Sequence, residues 1–258
     1  AAPGPTSPTT PPGAAAPAPG PALKALVGGR VIDGTGAPPL ENGVVLIRGE
    51  RIEAVGTVST LPMPPDAQVI STEGLTVLPG LWDLQVRLMR LGHADDARWH
   101  DTYLPLAERV VMPAAARELL LAGVTSARDV GAPLGAAVAV RNRIRDRRIP
   151  GPTLWVAGPT LESAPPERAR DHRWAVPTPA EARARVEQLA RAGVDYVLVA
   201  DVDRLAPGVL EAIVAAARAA GLPVHAELRR DADVEPALAA GVDGLVGFGN
   251  GTAAEWPQ

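Results

Sequence analysis

The chain has 258 residues, 47% of them hydrophobic, with 25 Lys and Arg against 29 Asp and Glu and no cysteine. The net charge of −4 argues against nucleic acid as the main partner. The lack of cysteine excludes disulfides, thiolate metal sites and a cysteine nucleophile, and no apolar run approaches the ~18 residues of a membrane span.

The opening stretch, AAPGPTSPTTPPGAAAPAPGP, holds almost nothing that could be buried. Residues 1–22 are expected to be an extended Pro/Ala-rich tail, with Pro5, Pro8, Pro11 and Pro12 as candidate contacts for a protein partner. A small first residue followed by a Pro/Ala/Thr tract points to an exported, periplasmic protein whose signal peptide has been removed. Simple loss of Met is the alternative.

From residue 23 to 80 the pattern is short and β-like. ALVGGRVIDG, GVVLIRGE, RIEAVG and QVIST are apolar and β-branched runs divided by Gly and Pro, which predicts a small β domain. After Gly80 strands alternate with helices. WDLQVRL is a strand, AERVVMPAAARELLLAGV a long helix, TSARDVG a strand and AAVAVRNRIRDRR a helix. TLWVAGPTL, DYVLVAD, PVHAEL and GLVGFG are further strands, with helices at AEARARVEQLARAG, GVLEAIVAAARAAG and VEPALAAG between them. This alternation predicts parallel βαβ units with right-handed crossovers. Six strands fall short of the eight of a complete barrel.

The ordered segments GGRVIDGTG, ENGVVLIRGERIEAVG, VLPGLWDL, AGVTSARDVG, GPTLWVAGPTL, AGVDYVLV and AIVAAARAAGLPVHAE resemble the amidohydrolase superfamily, in its imidazolonepropionase-like and dipeptidase-like branch. The resemblance covers about residues 23–250 and implies an α/β fold: an incomplete (β/α) TIM-type barrel of about six parallel strands preceded by a small N-terminal β domain. Residues 23–80 would form the β domain and 81–258 the partial barrel. It also implies where divalent metals would be held. The first strand of the family ends in His-x-His, which sends two imidazoles to one side of the strand; here those positions read Gln85 and Arg87. The bridging Lys of the fourth strand reads Leu198. The His of the fifth strand falls on Glu227, with His225 two residues earlier, and the His of the sixth strand reads Gly247. Arg is a permanent cation with donors only, so it cannot ligate a metal.

The expectation is therefore an amidohydrolase-like pseudoenzyme with no catalytic residues, metal or cofactor, acting as a structural or accessory subunit in a larger periplasmic or membrane-associated assembly. An enzyme or small-molecule binding module with a rebuilt, metal-free pocket is the alternative. Arg87 beside Glu227 would be an ion pair in the space of the metal, or an anion pocket. A replacement metal site is conceivable at His93, Asp95, Asp96, His100 and Asp101, against a solvated loop. Arg141, Arg143, Arg145, Arg147 and Arg148 crowd one helix end, and of these Arg141, Arg145 and Arg148 are candidate docking residues. Trp99 and Trp174, in polar segments, are candidate interface anchors. Ser126 and Ser163 have no positioned base, and no glycine-rich phosphate cradle is present.

Overall fold

The structure, a computed structural model, describes residues 22–90 and 96–247, with the backbone alone at 96–99. The tail candidates Pro5, Pro8, Pro11 and Pro12, together with His93 and Asp95, lie outside the described residues, as does the side chain of Trp99. The chain divides into two compact units, Ala1–Pro79 and Gly80–Gln258.

In the first unit, β1 (Leu23–Val31), β2 (Leu40–Arg48), β3 (Arg51–Thr57), β4 (Gln68–Ser71) and β5 (Thr76–Val77) form one sheet in the order β3-β2-β1-β4, with β5 also on β1. β2 runs antiparallel to β1 and β3, whereas β4 and β5 run parallel to β1. Alternate residues of β1 and β2 bury one face, where Leu23, Ala25, Val44 and Leu46 pack together. Gly29 allows the chain to pass against the turn after β4. Its N–H donates to Thr72 Oγ1 at 3.0 Å, and a Cβ there would lie 2.7 Å from the Thr72 carbonyl oxygen.

The second unit holds β6 (Leu81–Val86), α1 (Asp96–Tyr103), α2 (Met112–Leu121), β7 (Val124–Asp129), α3 (Leu134–Arg145), β8 (Thr153–Val156), β9 (Thr160–Glu162), β10 (Arg173–Ala175), α4 (Pro179–Ala192), β11 (Val197–Ala200), α5 (Val209–Ala219), β12 (Val224–Glu227), α6 (Val234–Ala240) and β13 (Gly244–Val246). All pairings are parallel, in two sheets ordered β6-β7-β8 and β10-β9-β11-β12-β13. No closed barrel is formed by the described residues.

Two elements differ from the sequence reading. The long helix expected over residues 107–124 is a π turn over Ala107–Val111 and only then α2, and a 3-10 turn at Leu104–Leu106 precedes both. Pro113 has no N–H to donate back along the helix and fits only in the first turn, so α2 starts there. The run TLWVAGPTL is two strands, because Gly158 takes φ +70° between them. β8 then pairs with β7, while β9 pairs with β10 and β11.

A recurring sequence, Ala-Gly-Val-Asp, links helix to strand. After α4, Gly193 closes the helix at φ 78°, and Asp195 brackets the end of β8: its N–H donates to Val156 O (2.9 Å), and its carboxylate accepts from Val156 N–H (2.8 Å). After α6, Gly241 and Asp243 do the same to Val224, at 2.7 and 2.8 Å. Each Asp thus fixes one strand terminus by a side-chain bond, the end of β8 for Asp195 and the start of β12 for Asp243.

Arg141 belongs to this scaffold. It is buried, and its guanidinium donates to Asp195 Oδ2 (2.7 Å) and to Gly193 O (2.9 Å). The docking role expected of it is therefore corrected: α3 turns Arg141 inward onto the neighbouring connection. Arg145 and Arg148 remain exposed. Arg141→Ala should destabilise the second unit by about 2–3 kcal/mol, since it leaves the mostly buried Asp195 without its cation. Urea unfolding followed by tryptophan fluorescence checks this, and a shift below ~0.5 kcal/mol would place Arg141 with ordinary surface charges.

Trp174 is also corrected. It is partly buried against the α4–α5 core, with the Arg185 guanidinium 4.6 Å above its ring. That core joins Leu161, Val186, Leu189, Val199, Ile213 and Val224.

Candidate functional site

The C-terminal ends of the parallel strands gather three buried carboxylates of the second unit, Asp129, Glu162 and Glu227, with Arg141 and Asp233 buried elsewhere. Strand ends gather such groups because each strand's last residue points out of the apolar sheet layer into the connections above it. Arg87 follows β6, Asp129 ends β7, Glu162 ends β9, Asp201 follows β11 and Glu227 ends β12.

These residues form one network. An Arg87 guanidinium N–H donates to Glu227 Oε1, and another donates to Val130 O at 2.8 Å. The second oxygen of Glu227 accepts from Arg229 at 3.2 Å. Arg229 also reaches Asp201 (3.0 Å) and Glu162 (3.3 Å), and Glu162 pairs on its other oxygen with Arg173 at 3.4 Å. Arg87, Arg173 and Arg229 thus face Glu162, Glu227 and Asp201, and Asp201 also accepts from Arg230 at 3.3 Å, so each of these carboxylates has a cation beside it. Burial pushes Glu162 up and Arg173 down, while in each case opposite charges nearby act against it. Balance of this kind is what buried ions require.

Asp129 sits beneath the network, fully buried. One carboxylate oxygen accepts from Leu88 N–H at 3.1 Å; the other has no hydrogen-bond partner, and neither has Thr160 Oγ1. Burial raises the Asp129 carboxyl to about 7, against the pull of Leu88 N–H and of Arg87. Thr160 Oγ1 and Arg87 both approach Gly131, where an added Cβ would lie 3.1 and 3.2 Å from them.

The five positions singled out from the sequence fall into three places. Arg87 and Glu227 are in contact. Gln85, exposed at the end of β6, reaches Gly247, where a Cβ would be 3.0 Å from its amide nitrogen; Gly247 takes φ +68°. Leu198 lies apart, fully buried with Val130, Ala157, Tyr196 and Val246. His225 is turned to Tyr196, ring centroids 4.9 Å apart, with its Nδ1 accepting from Arg128 at 2.8 Å. Burial and the adjacent Arg128 cation lower the pKa of His225. Glu162, Asp201, Arg173, Arg229 and Asp129 were not foreseen. Asp129, Glu162, Asp201 and Arg229 share one signal that was present in the sequence, an ionisable residue in the last position of a strand or just beyond it, whereas Arg173 opens β10.

A second group lies away from this network. His100 on α1 meets Asp171 and His172, and these three could hold a metal ion. The loop cluster foreseen around His100 is therefore resolved differently: His100 turns toward residues seventy positions on, and Asp101 is exposed.

No protein-family model matches the chain, and no curated protein does. Solved structures do. A Bifidobacterium longum protein assigned as a prolidase shares 26% identity with a TM-score of 0.71, covering 88% of this chain and 54% of its own. A prolidase complexed with N-methylphosphonate-L-proline shares 24% at a TM-score of 0.73, covering 86% and 60%. The A. niger ochratoxinase shares 20% at 0.68, covering 86% and 59%. The chain has the amidohydrolase fold. It spans about 60% of the length of these amidohydrolase-fold structures.

The metal centre implied by this fold does not fit the residues present. Arg87 and Leu198 offer no lone pair and Gly247 has no side chain, while the Glu227 carboxylate is engaged by Arg87 and Arg229. Gln85 alone would be a weak donor.

Proposed function

We propose that this chain is a non-catalytic amidohydrolase-like protein that acts as an accessory subunit. The observation that carries this reading is the Arg87–Glu227 pair. A guanidinium stands at one aligned ligand position and neutralises the carboxylate at another, so the groups that would converge on a metal converge on each other. The accessory role is supported by β6. Among the described residues it pairs only with β7, and Leu81, Trp82 and Leu84 along it are 51%, 62% and 53% exposed. A free strand edge bearing large apolar side chains is a surface that another polypeptide covers.

The test is hydrolysis of dipeptides ending in proline by the purified chain, with and without added zinc or manganese. No turnover above buffer is expected. Turnover that disappears in Arg87→Ala would overturn the reading. The second arm is sedimentation at micromolar concentration, where the chain should self-associate or co-sediment with a partner through β6. A stable monomer unaffected by Trp82→Glu removes the accessory role.

A small-molecule pocket is the second reading, favoured by the two partnerless oxygens of Asp129 and Thr160 beside Arg87. Calorimetric titration with small carboxylic acids separates the two: heat that vanishes in Thr160→Val supports the pocket.

A further inference from the structure

The His100–Asp171–His172 group shares no residue with the strand-end network, and the proposed function leaves it without a task. His100 Nε2 is 3.2 Å from Asp171 Oδ1, and His172 Nδ1 is 3.1 Å from Asp171 Oδ2. The two imidazole rings are 5.4 Å apart, and one ligand atom from each residue lies within 4.8 Å of the other two. We propose that these three residues form a site for a divalent transition ion of the zinc class.

Distance supports this first. Zinc bound by nitrogen and oxygen at ~2.0–2.1 Å in a tetrahedron places neighbouring donor atoms about 3.3 Å apart. Both nitrogen–carboxylate separations have that length, but to different oxygens of Asp171, so the carboxylate must bind through both oxygens or turn one toward both imidazoles as these draw closer. The donor chemistry agrees: two imidazoles and one carboxylate suit zinc, cobalt or nickel, and not calcium or magnesium, which take oxygen ligands.

The site is also built in advance. The backbone of His172 is fixed on both sides, its N–H donating to Ala169 O (3.1 Å) and its carbonyl accepting from Thr160 N–H (3.0 Å). The next residue, Arg173, starts β10 and is paired with Glu162. The side chains of His100 and His172 are largely buried, and Asp171 is the most exposed of the three, which leaves a side open for a water ligand.

Without an ion the same residues form a hydrogen-bonded clamp between α1 and the segment before β10. With one, the clamp becomes a metal lock on the connection after β6. The two states differ in what can be measured.

The experiment takes the full chain, stripped with chelator, and titrates it with zinc chloride by calorimetry and with cobalt(II) by visible absorption. About one zinc per chain is expected, with the intense visible bands of four- or five-coordinate cobalt. His100→Ala/His172→Ala should weaken zinc binding by at least about 100-fold, beyond the roughly 10–100-fold typical of losing a mere supporting partner. Gln85→Ala, an exposed change at the strand ends, should leave it unchanged. A cobalt spectrum like that of the free aqueous ion overturns the proposal and needs no variant, so misfolding of the double variant cannot shelter it. Zinc lost in Gln85→Ala but kept in the histidine variant would place the ion at the strand ends, against both this inference and the non-catalytic reading. No zinc and no hydrolysis would remove this site alone.

Discussion

Replacing Glu227 with alanine should destabilise the second unit by about 3–5 kcal/mol, the largest single-substitution effect expected in the molecule. Glu227 is buried and answers two cations, Arg87 through one oxygen and Arg229 through the other. Its loss leaves Arg87 facing only the Val130 carbonyl and shifts Arg229 onto Glu162 and Asp201. The cost is that of a desolvated charge without its counter-ion, and it exceeds what the intact pair contributes. For the same reason Arg87→Met/Glu227→Leu, which removes both ions and restores apolar volume, should recover most of the loss. All five tryptophans lie in the second unit, so urea unfolding followed by fluorescence reports on it directly. Equal losses in the single and double variants would mean that the pair's geometry, not its charge balance, matters to the fold.

How much of this was legible beforehand depends on the physical range of each feature. Element order was readable because apolar periodicity is local: AGVDYVLV and PVHAEL yield β11 and β12, and AEARARVEQLARAG yields α4 with its Thr178 cap and Gly193 stop. The recurring Ala-Gly-Val-Asp was visible as a string, but not that Asp195 and Asp243 brace the preceding strand, since that bond spans a βα unit. Breaks at Pro113 and Gly158 carried their signals in the residues themselves and were read through. Arg87 and Glu227 could be brought together from the sequence only through the resemblance, as they are 140 positions apart. Glu162, Arg173 and Arg229 had no such guide. Arg141 misled because charge at a helix end looks alike whether it faces water or, as here, an Asp on the next connection.

Asp129→Asn should stabilise the second unit at pH 8 and leave it almost unchanged at pH 4. The direction follows from burial, which lifts the Asp129 carboxyl from its ordinary 3.8 to about 7 in the folded chain. A group whose folded pKa is raised favours folding fully while both states are protonated, below about pH 4. As pH rises from there, the unfolded chain releases its proton first, and folding loses stability until the folded carboxyl also ionises near 7. At 1.36 kcal/mol per unit, the loss approaches roughly 4 kcal/mol at most, and nearby Arg87 limits it by favouring the anion. Asparagine removes the ionisation but retains a carbonyl oxygen for Leu88 N–H, the one hydrogen bond that Asp129 accepts through its side chain. Carboxylates held low, such as Asp203 beside Arg230, act in the opposite direction on the wild-type curve. They are common to both proteins and cancel in the difference, so the quantity to plot is variant minus wild type against pH. That difference should rise between pH 4 and 7 and then level. A flat difference would show that Asp129 ionises in the fold as easily as in water, either because solvent reaches its second oxygen or because Arg87 compensates it fully.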